Sequence, residues 1–206
     1  MRTISYDLYT FGELCPKAQN AAVELMTNRI GERQNEFDSD EYRATLKDIE
    51  RVFEIRVVDF NVGYPGTYFR WVWTNPRWSE IQYRGTKYLY RYLNYVGECI
   101  ENGKYYSKCS KTGPGHYKCR TSKVLTQDNY TLSGVWCDHA VDQAMQSAYE
   151  QARRGCDIED FVQNMLADFF RYWQEDLDYA YSDEFVREEL SERDEFEFLA
   201  DGRPFS

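Results

Sequence analysis

Long apolar runs are missing from this chain of 206 residues. No stretch approaches the about 20 consecutive apolar residues of a helical membrane span, so no membrane partner is expected. The opening residues, MRTISYDLYTF, lack the apolar core of a signal peptide, which predicts a cytoplasmic protein. Histidine is scarce, with only His116 and His139 present. No Gly-x-Ser-x-Gly elbow, phosphate-binding loop or His-Glu-x-x-His pair occurs. These absences remove the common routes to nucleophilic, phosphoryl-transfer and zinc-peptidase chemistry. The chain therefore reads as a non-enzymatic protein without a cofactor. Internal repeats and low-complexity segments are absent too.

Aromatic residues are what the chain has instead: 18 Tyr, 12 Phe and 5 Trp. That payload argues against disorder, because each aromatic buries a large area. The length suits one ordinary domain, residues 1–206. Charge is unevenly placed. Residues 1–66 carry 8 basic and 12 acidic side chains, and residues 67–123 carry 11 and 3. Residues 124–156 carry 2 and 4, and residues 157–206 carry 4 and 16. A basic, aromatic middle thus precedes a strongly acidic helical end, within a net charge of −10.

Periodicity predicts the elements. Pro16 suits a first helical position, and apolar residues at 18, 21, 22, 25, 26 and 30 keep helical spacing up to a stop at Gly31. A polar link, GERQNEFDSD, leads to a second helix bearing Tyr42, Leu46, Ile49, Val52 and Phe53. The period then becomes two. Strands are expected over Glu54–Val62 and Tyr68–Trp73, around a Gly-Tyr-Pro-Gly turn, with a third over Ser79–Arg84. A helix follows Thr86, two β-rich runs flank Gly113-Pro114-Gly115, and a helix is expected from about 139 to 154. The cleanest stripe is Ile158, Phe161, Val162, Met165, Leu166, Phe169, Phe170, Trp173 and Leu177, in what should be the longest helix. Ser182 caps another to Arg193, and an alternating Glu195–Phe198 precedes an Asp201-Gly202 turn. Sequential strands with helices around them predict an α+β fold: an antiparallel β-sheet of hairpins covered by amphipathic helices, with long acidic helices at the C-terminal end.

Three groups of residues could form sites. Cys109, His116, Cys119, Cys137 and His139 could hold zinc, but their spacing fits loosely. The preferred reading is a hairpin turning at Gly113-Pro114-Gly115, with Cys109 and Cys119 facing each other in its two strands as small apolar residues, and no metal; a disulfide between them is the lesser alternative, which a reducing compartment opposes. The segment Tyr68–Tyr95 alternates Arg and Lys with Trp and Tyr, a mixture that suits single-stranded nucleic acid. Its candidates are Arg70, Arg77, Arg84 and Lys87, with Trp78 as an exposed stacking platform; the competing reading puts Trp71 and Trp73 in the sheet's core. Carboxylates of the acidic end, Asp176, Asp178, Asp183, Glu184, Glu188, Glu189 and Glu192, could present charge spaced like DNA phosphates to a basic groove. Their competing readings are a magnesium site, which their place on the polar side of helices disfavours, and a merely solvated face.

The two ends carry a resemblance. Tyr9-x-Phe11-x-Glu13-Leu14-x-x-x-Ala18 resembles the Y-x-F-x-E-L-S-x-x-A opening of a family of small acidic bacteriophage and mobile-element proteins. Glu195-Phe196-Glu197-Phe198-x-x-Asp201-Gly202-Arg203-x-Phe205 is similar to that family's E-Y-E-F-x-x-D-G-R-x-F close. Cys15-Pro16 departs from the family's Ser-Glu. The resemblance implies provenance, not chemistry. By analogy with other phage accessory proteins, it suggests an inhibitor of a host nucleic-acid-directed defence complex, of the anti-CRISPR kind, working in the host bacterial cytoplasm. The partner would be a host protein or ribonucleoprotein with a basic groove. The alternative is a single-stranded nucleic-acid-binding module using residues 67–123.

Overall fold

A computed structural model describes residues 5–80, 140, 143, 158–193 and 195–205. Among these the protein is mixed helix and strand, and mostly helical: α1 (Pro16–Phe53), β1 (Ile55–Asn61), β2 (Tyr68–Trp73), α2 (Pro76–Glu80), α3 (Ile158–Ala180) and α4 (Asp183–Glu192). β1 and β2 pair antiparallel, with Ile55 opposite Trp73 and Asn61 opposite Tyr68, and one register shift between Val57 and Asp59. The chain divides into two compact units, Met1–Asp40 with Gln174–Ser206, and Glu41–Trp173. Each has its own core.

The stop expected at Gly31 does not exist. α1 runs through Gly31 and the whole polar link as one helix of 38 residues, longer than α3. Gly31 is buried within it, and a Cβ there would lie 2.6 Å from Cδ1 and 2.9 Å from Cγ of Tyr181. The glycine's role is to admit an aromatic ring against the helix, which leaves the same sequence mark as a helix end. The link reads as polar because few of its residues need to face inward. One that does is Asp38, buried, whose Oδ1 accepts from Gln34 Nε2 at 2.8 Å.

In the first unit, Glu13 reaches back to the start of a short 3₁₀ turn, Phe11–Glu13. Its carboxylate accepts from the Thr10 amide at 2.8 Å and the Thr10 hydroxyl at 3.0 Å, bonds that hold it below the ordinary carboxyl value. Phe11, Leu14, Ala18, Ala22, Val23, Met26, Ile30, Val186, Leu190 and Phe198 form the core. The two terminal motifs meet here: Tyr9 and Phe198 exchange backbone hydrogen bonds, each 2.9 Å. Glu195–Phe198 forms no strand; only Phe198 is bridged, to Tyr9 and Pro204. The turn at Asp201-Gly202 needs its glycine twice over. Its φ is +89°, and a Cβ would fall 2.1 Å from the Ala18 carbonyl oxygen. Ser182 caps α4 as expected, its Oγ accepting from the Phe185 amide at 3.2 Å.

In the second unit, the α3 stripe from Ile158 to Trp173 is buried at all eight expected positions up to Trp173. Each such side chain contributes about 1.5–3 kcal/mol. Aromatic rings interlock: Tyr42 stacks on Trp173 with centroids 5.0 Å apart, and Phe69 stacks on Phe170 at 5.1 Å. Phe69, Trp71 and Trp73 occupy one face of β2 and pack, partly buried, against this core. Glu54 joins α1 to β1 in the left-handed region, φ 51°. Its carbonyl accepts from the Thr74 amide at 2.9 Å, and its carboxylate accepts from Asn75 Nδ2 at 2.9 Å and from Trp78 Nε1.

Two further expectations fall to the same region. Residues from Pro76 to Glu80 are helical, so the third strand does not begin at Ser79. Pro76 ends β2 and opens α2, because its fixed φ suits a first helical turn. Trp78 is not exposed: it is 6% accessible and belongs to the second unit's core.

Candidate functional site

The acidic residues named from sequence lie on the last turn of α3 and on α4, in the first unit. Asp178, Asp183, Glu184, Glu188 and Glu192 are exposed, whereas Asp176 and Glu189 are half-buried. α4 takes this arrangement from its pattern: Val186 and Leu190 turn into the core, so Glu184, Glu188 and Glu192, spaced four apart, share the opposite side. Asp183 and Glu184 stand in its first turn, where carboxylates complement the helix dipole.

Partners differ among these residues. Glu189 is committed to Arg193, 2.7 Å away. Asp178 accepts from Gln174 Nε2 at 2.8 Å, and Glu188 accepts from the Tyr179 hydroxyl at 3.2 Å. Among the described residues Asp183, Glu184, Glu188 and Glu192 form no ion pair with Lys or Arg. Tyr179 stands 45% exposed beside them. Its hydroxyl is held above the ordinary phenol value by partial desolvation first, then by its hydrogen bond to Glu188 and the charges of Glu188 and Glu184. Tyr179 therefore remains a hydrogen-bond donor and a neutral, amphipathic centre for the face. Sequence reasoning passed over it, although tyrosine one turn from a run of carboxylates is a usable signal.

No protein-family model matches the chain, and no curated protein or solved structure matches it either. What the protein does has to be argued from its own surfaces.

The nucleic-acid candidates are not brought together as a platform. Arg70 and Arg77 are exposed, but Trp78 is buried with its indole N–H on Glu54, so it cannot stack on a base. The Arg77 guanidinium lies 5.1 Å from the Trp78 ring centroid and covers it. Trp71 and Trp73 take the core-facing side, as the competing reading had it. Arg84 and Lys87 lie outside the described residues, as do Cys109, His116, Cys119, Cys137 and His139. Among the described residues no three His, Cys, Asp or Glu side chains are grouped to hold a metal ion, and no helix is long and apolar enough to cross a membrane.

Two concavities went unforeseen. One, of about 520 Å³ in the first unit, is lined by Arg29, Arg33 and Arg193 together with Glu189, Glu195 and Glu197. Arg33 pairs with Glu195 at 3.5 Å, and Arg193 reaches the same carboxylate at 3.7 Å. These exposed pairs are worth about 0–1 kcal/mol each. Arg29 and Arg33 become neighbours four residues apart only because α1 continues past Gly31; the false stop hid them. The other concavity, of about 540 Å³ in the second unit, runs along β2.

Proposed function

We propose that this chain is a phage or mobile-element accessory protein that acts by binding, offering the acidic side of α4 and the adjoining turn of α3 to the basic nucleic-acid groove of a host defence complex. One observation carries this reading: Glu184, Glu188 and Glu192 are exposed on one side of a helix without a cationic partner among the described residues. Four residues of helix rise about 6 Å. Phosphates of one DNA strand rise about 3.4 Å per step along the axis, and because the strand also winds around that axis, successive ones lie about twice as far apart through space. Successive carboxylates of the row thus match the spacing of successive phosphates, on a helix whose backbone is already ordered. Asp183 and Asp178 widen the row, and Tyr179 supplies an aromatic of the kind that anchors interfaces. The terminal motifs that resemble phage proteins support the provenance.

The experiment uses the full chain, immobilised, against a bacterial lysate. Nucleic-acid-binding proteins should be captured and then released by double-stranded DNA. The triple variant Glu184→Lys, Glu188→Lys, Glu192→Lys should capture none of them while keeping its circular dichroism and melting temperature. Capture of the same proteins by the variant, or capture that DNA does not reverse, would remove the proposal.

A further inference from the structure

The second concavity is lined by Phe69, Arg70, Trp71, Val72 and Trp73, with Glu159 and Gln163 of α3 on its far wall. Five consecutive strand residues cannot line a groove over one face of a sheet, because side chains alternate between faces. No β1 residue takes part. The groove therefore follows the outer edge of β2, where no strand is paired among the described residues.

The backbone at that edge is set by the ladder on the other side. The Thr74 amide points toward β1 and donates to the Glu54 carbonyl at 2.9 Å. Alternation along the strand then turns the amides of Val72 and Arg70 toward β1 and those of Trp71 and Phe69 outward into the groove. The two outer edges are treated differently. On β1, the outward amide of Val57 is closed off by the Glu50 carboxylate at 2.6 Å. On β2, no hydrogen bond to the Phe69 or Trp71 amide is formed on the outer side among the described residues. Trp71 and Trp73 are only half-buried despite packing on the core. The groove also holds two charges without an ion-pair partner among the described residues, Glu159 on the helix side and Arg70, exposed on the opposite face of the strand.

We propose that the outer edge of β2 binds an extended peptide segment of a partner protein as an added strand. The segment's backbone pairs with the Phe69 and Trp71 amides, and its helix-side residues cover the remaining surface of Trp71 and Trp73. Charge specifies the sequence: one Lys or Arg on the helix side for Glu159, and one Asp or Glu on the other side for Arg70. A second copy of β2 fits poorly, because its corresponding sides offer only Phe69, Trp71 and Trp73, and Tyr68, Arg70 and Val72. It would leave both charges unanswered. The site shares no residue with the acidic row of α4 and does not rest on the function proposed above.

The test begins with amide hydrogen exchange on the dilute full chain. Phe69 and Trp71 should exchange fast and Val72 slowly. Strong protection of Phe69 and Trp71 in the free protein means that the edge is already covered, and overturns the proposal. The probe is the peptide acetyl-Val-Thr-Val-Glu-Lys-Thr-Val-amide, with two isomers N-methylated on one or the other alternate set of amides. Binding should protect Phe69 and Trp71, survive methylation of one set and vanish with the other. The variant Glu159→Lys should bind at least tenfold more weakly. Absence of binding, indifference to which set is methylated, or an unchanged affinity of Glu159→Lys each refutes it. Protection that grows with protein concentration alone assigns the edge to a second copy and refutes it equally.

Discussion

Replacing Gly31 with alanine distinguishes a helix stop from a ring seat. In an unobstructed helix interior, Gly→Ala stabilises by about 0.5–1 kcal/mol. Here the new Cβ would sit 2.6–2.9 Å from three carbons of the Tyr181 ring. One of them is Cγ, at the base of the ring, so the side chain cannot escape by swinging its tip. Overpacking of this kind costs about 1–3 kcal/mol. Gly31→Ala should therefore be neutral to destabilising, by up to about 2.5 kcal/mol, in the otherwise unchanged protein. In a Tyr181→Ala background the obstruction is gone, and the same substitution should stabilise by about 0.5–1 kcal/mol. Urea unfolding midpoints of the four proteins, compared at constant m, give the coupling, expected at about 1–3 kcal/mol. If Gly31 ended a helix in a left-handed conformation, the penalty would be the same with or without the ring. Equal penalties in the two backgrounds would refute a continuous α1 packed against Tyr181.

Three further outcomes follow from the geometry. Gly202→Ala should destabilise by about 2–5 kcal/mol, combining about 1–2 for the left-handed backbone with about 1–3 for overpacking against the Ala18 carbonyl; Gly12→Ala, which meets nothing within 4 Å, should stay within about 0.5 kcal/mol of the parent by thermal or urea unfolding. Glu41 has a buried Oε2 without a hydrogen-bond partner among the described residues, and burial pushes its carboxyl above the ordinary value. A raised carboxyl pKa means that the folded state holds its proton longer than the unfolded one, so this group costs stability as pH rises from the unfolded value through the folded one. Glu41→Gln should be the more stable protein at pH 7, with the advantage shrinking as pH falls into the ordinary carboxyl range; a gap that is constant with pH would count against it.

Local rules carried the elements whose cause is local. Ser182 caps α4 because a hydroxyl beside a free amide needs no tertiary help, and the α3 stripe is buried because its period admits one wet side. β2 ends before Pro76, since proline cannot donate to a ladder. The row Glu184, Glu188, Glu192 was legible in the same way, from spacing against Val186 and Leu190. Where residues distant in sequence intervene, the reading failed. Gly31 looked like punctuation until a ring 150 positions away explained it. Trp78, flanked by polar and basic residues, seemed exposed until Glu54 took its indole N–H.

The sequence by itself determined the buried stripe of α3 and the alternation of β2, the caps and turns that bound several elements, and the unequal distribution of charge, because these depend on neighbours within a few residues. Only the tertiary structure decided that α1 is one helix, that Trp78 is buried with its indole N–H on Glu54, and that β2 has no strand paired on its outer edge among the described residues. Each of these depends on which distant groups share a packed space, and spacing along a chain does not record that.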